Sequence, residues 1–192
     1  MLSKPFLAVV LSLSAGLALA SPTSLQSTTI TATYNGLASG MLGFDDSFAG
    51  DVGGNVTKLN PDDASGAGIE YLTSDYLFAI DFSQSGVVSI YNNSPVSSGP
   101  YVLNFNFAGI SDTISGFSLT GLGAASGAPV LSVINSHQIG VDLSNVSWDG
   151  SFTPLTAQLA FTSAVPEPTV PAMLIAGLGV LGLSRRRNRA AC

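Results

Sequence analysis

The stretch YVLNFNF at residues 101–107 alternates large apolar side chains with smaller or polar ones. Successive side chains of a β-strand point to opposite faces, so this spacing predicts a strand with one face in a core. Related stretches recur along the chain, and together they predict about nine strands. They are residues 30–34, 76–82, 117–120, 139–144 and 155–162, with shorter candidates at 37–44, 87–91 and 130–134.

Turn signals such as Ser98-Gly99-Pro100 and Asp149-Gly150 separate these stretches, and no convincing amphipathic helix lies between them. Short strands at this spacing predict an all-β fold, either an antiparallel β-sandwich or a jelly roll. Trp148 and the phenylalanines are expected to fill its core. Tyr76 is expected on the buried face of the strand at 76–82, because it shares the alternation of Phe78, Ile80 and Phe82.

The charge distribution limits the ligands of this domain. The chain has 192 residues, of which 9% are charged, and its net charge is -6. Between residues 21 and 165, Lys58 is the only basic residue beside eleven acids, a formal charge of -10. Such a surface repels phosphate backbones and excludes nucleic acid as a partner, whereas cations and neutral sugars are compatible with it. Since Cys192 is the only cysteine, no internal disulfide is expected.

No catalytic constellation is visible in the sequence. His137 is the only histidine, and no G-x-S-x-G motif exposes a serine that it could activate. A Ser-His-Asp arrangement with Asp142 can be drawn, but Ser136-His137-Gln138 is better interpreted as a turn. We therefore expect no catalytic residue and no enzymatic activity.

The least strand-like part of the middle segment, residues 45–68, is predicted to form a long surface loop or a pair of loops. Carboxylate oxygens at this density are ligands that suit Ca²⁺, but the spacing of a known calcium loop is missing. Solvated acidic turns are the simpler interpretation, so we expect no metal or cofactor and keep Ca²⁺ as a weak candidate. Its ligands would be Asp45, Asp46, Asp51, Asp62 and Asp63.

The first 20 residues have the pattern of a cleavable secretory signal helix. Lys4 precedes an apolar run, and Ala18-Leu19-Ala20 before Ser21 is the small-x-small pattern that signal peptidase accepts. An N-terminal membrane anchor is the alternative, but the run is short for a hydrocarbon layer of about 30 Å. We expect cleavage after Ala20, which leaves residues 21–164 as an acidic β-sandwich ectodomain.

Residues 165–192 contain three elements in a fixed order. Pro166, Glu167 and Pro168 precede the apolar segment Thr169–Ser184, and a basic cluster follows it at Arg185, Arg186, Arg187 and Arg189. The sixteen apolar residues would measure about 24 Å as a helix, somewhat less than the hydrocarbon thickness. The arginines would remain cytoplasmic, so the segment is predicted to be a transmembrane helix that holds the β domain on the far side.

This ending resembles the PEP-CTERM sorting signal of Gram-negative bacteria. The resemblance implies that exosortase, a membrane-embedded peptidase or transpeptidase, recognises Pro166, Glu167 and Pro168 and removes the tail. It also implies a membrane-anchored precursor that reaches the cell surface or extracellular matrix, since such proteins are commonly linked to exopolysaccharide and biofilm. An ordinary single-span anchor of unknown activity is one alternative.

A carbohydrate-binding module for exopolysaccharide is a further alternative to a purely structural surface protein. Its sugar-stacking residues would be exposed aromatics among Tyr34, Tyr71, Tyr91, Tyr101 and Trp148. An exposed aromatic platform beside polar groups would favour this function, and burial of all five rings would remove its main support.

Overall fold

The computed structural model describes residues 25, 28–44, 54–59 and 68–163. These residues form thirteen strands, which we number in chain order. They are β1 (Thr29–Tyr34), β2 (Met41–Gly43), β3 (Val56–Lys58), β4 (Tyr71–Thr73), β5 (Phe78–Phe82), β6 (Val87–Asn92), β7 (Val102–Ala108), β8 (Thr113–Gly121), β9 (Ala125–Gly127), β10 (Val130–Asn135), β11 (Gln138–Asp142), β12 (Val146–Trp148) and β13 (Leu155–Thr162).

The strands form two main sheets, and every strand pair is antiparallel. The five-stranded sheet has the order β10-β11-β7-β1-β3, and the six-stranded sheet has the order β2-β4-β5-β6-β13-β8. A two-stranded ribbon of β9 and β12 completes the fold. The predicted all-β, sandwich-like architecture is confirmed.

Aromatic side chains join the two main sheets in the core. The ring centroid of Phe82 on β5 lies 5.0 Å from that of Phe105 and 5.5 Å from that of Phe107, both on β7. Tyr71 on β4 also crosses the core, where its hydroxyl donates a hydrogen bond to the carbonyl of Ile30 on β1. Trp148 and all three phenylalanine rings of this cluster are buried, as predicted for the core.

Both ends of the described chain lie at one end of the sandwich. The amide of Leu25 donates to the carbonyl of Gln84 in the turn between β5 and β6. On the last strand, Thr162 pairs with Thr113, and the hydroxyl of Ser163 donates to Asp112. We call the opposite end of the sandwich the distal end; its loops are residues 35–40, 74–77, 93–101, 122–128, which include the short strand β9, and 149–154.

Several local expectations differ from the structure. Five strands have only three residues, which is too short for an alternating pattern to be read, and this explains why thirteen strands are found instead of about nine. One of them, β3, lies inside the predicted loop at 45–68 and pairs with β1. The predicted strand at 37–44 instead follows an Asn35-Gly36 turn with positive φ and contains a single 3-10 turn at Ala38–Gly40 before β2.

The prediction that Tyr76 lies on the buried face of a strand is wrong. Strand β5 begins at Phe78, and Tyr76 lies in the preceding turn with 62% of its surface exposed. The carboxylate of Asp75 causes the difference, because it accepts hydrogen bonds from the hydroxyl of Thr73 and the amide of Leu77. The strand therefore begins at Phe78, two residues after the first residue of the alternating pattern.

Replacing Phe82 by alanine should destabilise the domain by about 3–5 kcal/mol, because the ring is the shared contact of Phe105 and Phe107. Urea unfolding of the purified exported protein measures this change. Phe152→Ala is the matched control, since that ring is 58% exposed and its removal should cost less than about 1 kcal/mol. Equal losses for the two variants would contradict the central role of Phe82.

Candidate functional site

The predicted sorting residues lie outside the described residues. This applies to Pro166, Glu167 and Pro168, to the four arginines at 185–187 and 189, and to the signal peptidase site at Ala18, Ala20 and Ser21. The predicted membrane segment at 169–184 is likewise outside them. Within the part of the chain that the structure describes, no helix is long and apolar enough to cross a membrane.

The five candidate Ca²⁺ ligands at 45, 46, 51, 62 and 63 also lie outside the described residues, so the calcium prediction stays untested. Across residues 25, 28–44, 54–59 and 68–163, no three His, Cys, Asp or Glu side chains are grouped as a metal site would need. Glu70 is buried and has a structural contact, since its carboxylate accepts the amide hydrogen of Phe82 at 2.7 Å.

His137 lies in the turn between β10 and β11, as the sequence predicted. Its Nδ1 atom is 2.8 Å from the hydroxyl oxygen of Ser136. Asp142, the acid considered for a triad, is at the other end of the five-residue strand β11. At about 3.3 Å per residue, the strand separates the two side chains by well over hydrogen-bonding distance. The structure therefore does not bring Ser136, His137 and Asp142 together.

The five aromatic residues considered for sugar stacking divide into two groups. Tyr34, Tyr71 and Trp148 are buried in the core and cannot form an exposed platform, so the hypothesis is wrong for these three. Tyr101 is half-buried and packs its ring edge-on against Phe78, with centroids 5.3 Å apart. Tyr91 is half-buried on the six-stranded sheet and is the residue of the five that contributes to an exposed aromatic surface.

Phe152 completes that surface, so the prediction that the phenylalanines fill the core is wrong for this residue. It lies in the distal loop before β13, is 58% exposed and stacks on Tyr91 with ring centroids 4.8 Å apart and an angle of 24°. The nearly parallel rings leave one face of Phe152 open to solvent. A large apolar residue between Gly150 and Pro154, inside a run of turn formers, was the sequence signal for this loop position.

The loop that carries Phe152 is held by its neighbours. The carboxylate of Asp149 accepts the amide hydrogen of Ser151 at 2.8 Å, and the amide of Ala124 donates to the carbonyl of Thr153. Gly123 must lack a side chain, because a Cβ there would lie 2.0 Å from the carbonyl oxygen of Pro154. These contacts fix the loop against the segment that leads into β9, so Phe152 is presented from a defined backbone.

Tyr76 is the second exposed aromatic residue at the distal end. It has a φ of 60°, in the left-handed region that glycine or asparagine usually occupies at this position of a hairpin turn. Its amide donates to the carbonyl of Thr73, and its own carbonyl accepts the side-chain amide of Asn93 at 2.9 Å. The Asn93 contact connects the turn of Tyr76 to the end of β6, two residues after Tyr91.

Asp75 couples this turn to the core. In addition to its contacts within the turn, its carboxylate accepts a hydrogen bond from the hydroxyl of Tyr34 at 2.9 Å. Burial, followed by the hydrogen bond to Asp75 and the charge of Asp75, raises the pKa of Tyr34.

Two groups beside Phe152 also have shifted pKa values. Burial and then the charge of Asp81 raise the pKa of Tyr91, and the hydrogen bond with Ser89 partly offsets this rise. At the Phe152 loop, hydrogen bonds from Ser151 lower the pKa of Asp149.

The described β domain ends at Ser163, three residues before the proline-bracketed Glu167 motif begins at Pro166. Residues 164–189 match the family model of the PEP-CTERM protein-sorting motif. The chain thus carries the sorting motif that its sequence resembles. The match supports a membrane-anchored precursor that is exported and sorted through exosortase. The signal peptide stays a prediction. The comparison with curated proteins and the comparison with solved structures each found no match.

Tyr34→Phe should weaken the alkaline loss of stability of the domain. The pKa of Tyr34 is higher in the folded state than the ordinary tyrosine pKa of about 10. Protonated Tyr34 therefore stabilises the fold fully below about pH 10, and this contribution is lost as the pH rises above that value, because the unfolded chain loses its proton first. The variant should also lose about 0.5–1.5 kcal/mol near neutral pH, because the hydrogen bond to Asp75 is removed. Urea unfolding at about pH 8 and about pH 11 measures both effects.

Tyr76→Phe is the control for this experiment. The Tyr76 ring is exposed, and loss of its hydroxyl removes no hydrogen bond among those described. Its free energy of unfolding should stay within about 0.5 kcal/mol of the wild-type value. A Tyr34→Phe protein that loses as much stability as the wild type between the two pH values would show that Tyr34 does not contribute to the alkaline transition.

Proposed function

We propose that this chain is a non-catalytic protein of the cell surface or extracellular matrix of a Gram-negative bacterium, associated there with exopolysaccharide and biofilm. The match of residues 164–189 to the PEP-CTERM motif supports the export and sorting in this proposal, and the association with exopolysaccharide and biofilm follows from the resemblance to such proteins. In it, signal peptidase cuts after Ala20, and the inner membrane holds the precursor transiently. Exosortase then recognises Pro166, Glu167 and Pro168, while the arginines at 185–187 and 189 keep the tail at the cytoplasmic side.

The position of the last strand supports this sequence of events. The ladder pair of Thr162 with Thr113 and the hydrogen bond of Ser163 to Asp112 fix the chain to the sandwich just before the motif. Only Ala164 and Val165 separate Ser163 from Pro166. A precursor held at its carboxyl-terminal segment therefore presents the distal end of the sandwich away from the membrane.

No cofactor is needed for this role, and Ca²⁺ binding by the acidic residues at 45–63 stays a separate prediction. The acidic charge of the domain supports the absence of nucleic acid among its partners. A protein that keeps its tail as a single-span anchor is the alternative for the sorting step. Carbohydrate binding is a second candidate function for the domain, and the exposed ring of Phe152 over Tyr91 is the observation that favours it.

Glu167→Ala should block removal of the tail, because the carboxylate is the only charged group of the recognition motif. The expected result is a full-length precursor in the inner membrane, identified by an intact mass that includes Cys192. Deletion of exosortase in the host should reproduce this result with the wild-type chain. Asp149→Ala, which removes an exposed acid of the domain, is the control and should be processed normally.

The wild-type chain is expected to lose its tail before it reaches the surface. Surface-released wild-type protein that still contains Cys192, or equal processing of the wild type and Glu167→Ala, would contradict it. Retention of the intact wild type in the inner membrane with exosortase present would favour the single-span anchor instead.

A further inference from the structure

We propose that the distal end of the sandwich is a binding site for an uncharged polysaccharide. Its aromatic contacts are Tyr76 and Phe152, and Phe152 is stacked on Tyr91. This inference rests on the proposed function only in that an exported surface protein meets such polymers. The site differs from the five aromatic residues that the sequence suggested, since only Tyr91 is common to both.

Exposed apolar side chains lie at two kinds of position in the domain. Seven large apolar side chains are exposed among the described residues. Four of them are strand residues on β8 and β10, the edge strands of the two sheets, and the three on β10 are β-branched residues of the kind that strands favour. The other three are Leu37, Tyr76 and Phe152, and all three are in distal loops, where no strand pattern requires an apolar side chain.

Tyr76 has an unfavourable backbone conformation. A residue with a side chain is disfavoured at a φ of 60°, and an exposed ring gains little packing to offset this. The turn itself needs no tyrosine, since Asp75 fixes it through Thr73 and Leu77 and the position suits glycine. A strained, exposed aromatic residue on a well-fixed turn is the arrangement expected where the ring contacts a ligand.

The ring of Phe152 presents a flat surface of the kind that packs on a sugar ring. The parallel stack on Tyr91 holds the ring of Phe152 flat, so its open face is available without further ordering. The C–H faces of pyranose rings are apolar and pack on flat aromatic faces, whereas their hydroxyls need polar neighbours. Exposed polar residues lie nearby: Asp149 and Ser151 are in the Phe152 loop, and Asn93 contacts the turn of Tyr76.

Charge selects the class of polysaccharide. The distal loops contain Asp75 and Asp149 and no basic residue. Between residues 21 and 165, only Lys58 and His137 can carry a positive side-chain charge. Both lie toward the other end of the sandwich: Lys58 pairs with Thr29, and His137 is in the turn before β11. An anionic polymer would be repelled from this end, but neutral hydroxyls can donate hydrogen bonds to the carboxylates. An uncharged polymer is therefore the favoured ligand.

The test measures retention of the purified exported protein in native gels that contain dextran, amylose or soluble cellulose ether, with alginate as the anionic polymer and chitosan as the cationic one. We expect binding to at least one neutral polymer and none to alginate. Tyr76→Ala and Phe152→Ala should each weaken that binding about ten-fold. Leu119→Ala, which removes an exposed apolar side chain from β8, should bind like the wild type.

Tyr76→Gly separates binding from folding. Glycine relieves the positive φ, so this variant should melt at the wild-type temperature or above while its binding falls like that of Tyr76→Ala. A structural role for the ring would instead lower the melting temperature and leave the binding unchanged, which would overturn the proposal.

Three other results would also overturn it: no binding to any neutral polymer, binding to alginate or chitosan alone, or unaltered binding in both alanine variants. Sedimentation of the same samples tests whether the distal end joins two copies of the chain, since a wild-type dimer that Phe152→Ala dissociates would assign the rings to self-association. The mass of each variant reports sorting independently. Normal tail removal without glycan binding would reject this inference alone, whereas an intact tail would reject the proposed function alone.

Discussion

The contact of Phe82 with Phe105 and Phe107 is the interaction on which the two sheets depend. The segment from residue 21 to 164 contains no cysteine and only one basic residue, so neither disulfides nor a network of ion pairs can stabilise the sandwich. Burial of large aromatic rings between the sheets must supply most of the stability.

The same core also fixes the distal loops. Tyr34 packs its ring at 6.4 Å from Phe78 and donates its hydroxyl to Asp75, so a core residue holds the turn that exposes Tyr76. Trp148 packs at 5.3 Å from Phe78 and its amide donates to Val96, which positions the strand that leads into the Phe152 loop. The two aromatic contacts are therefore presented by loops with rigid supports rather than by isolated turns, and preorganisation of this kind lowers the entropy lost on binding.

Sequence patterns predicted the long strands well because burial on one face leaves a clear alternation. The stretch at 101–107 corresponds to β7, and that at 155–162 to β13. Three-residue strands such as β3 and β12 were not recoverable, since their pairing depends on neighbours distant in sequence. Tyr76 was misassigned because it continued the alternation, and only the hydrogen bonds of Asp75 end it. Phe152 could have been found from the glycine and proline that flank it. The sorting motif, in contrast, is a local pattern that needs no tertiary contact to be recognised.

The topology separates the two ends of the domain by the length of its strands. Strand β13 has eight residues, so at about 3.3 Å per residue a strand of roughly 25 Å separates the Phe152 loop before it from Ser163 after it. An enzyme acting just beyond Ser163 therefore acts at the end of the sandwich opposite to the exposed rings. Since Asp75, Asn93 and Gly123 support the distal loops without any contact to Ser163, removal of the segment after Ser163 leaves those supports intact. The strand arrangement thus places the proposed binding site and the sorting motif so that substitutions at one need not alter the other.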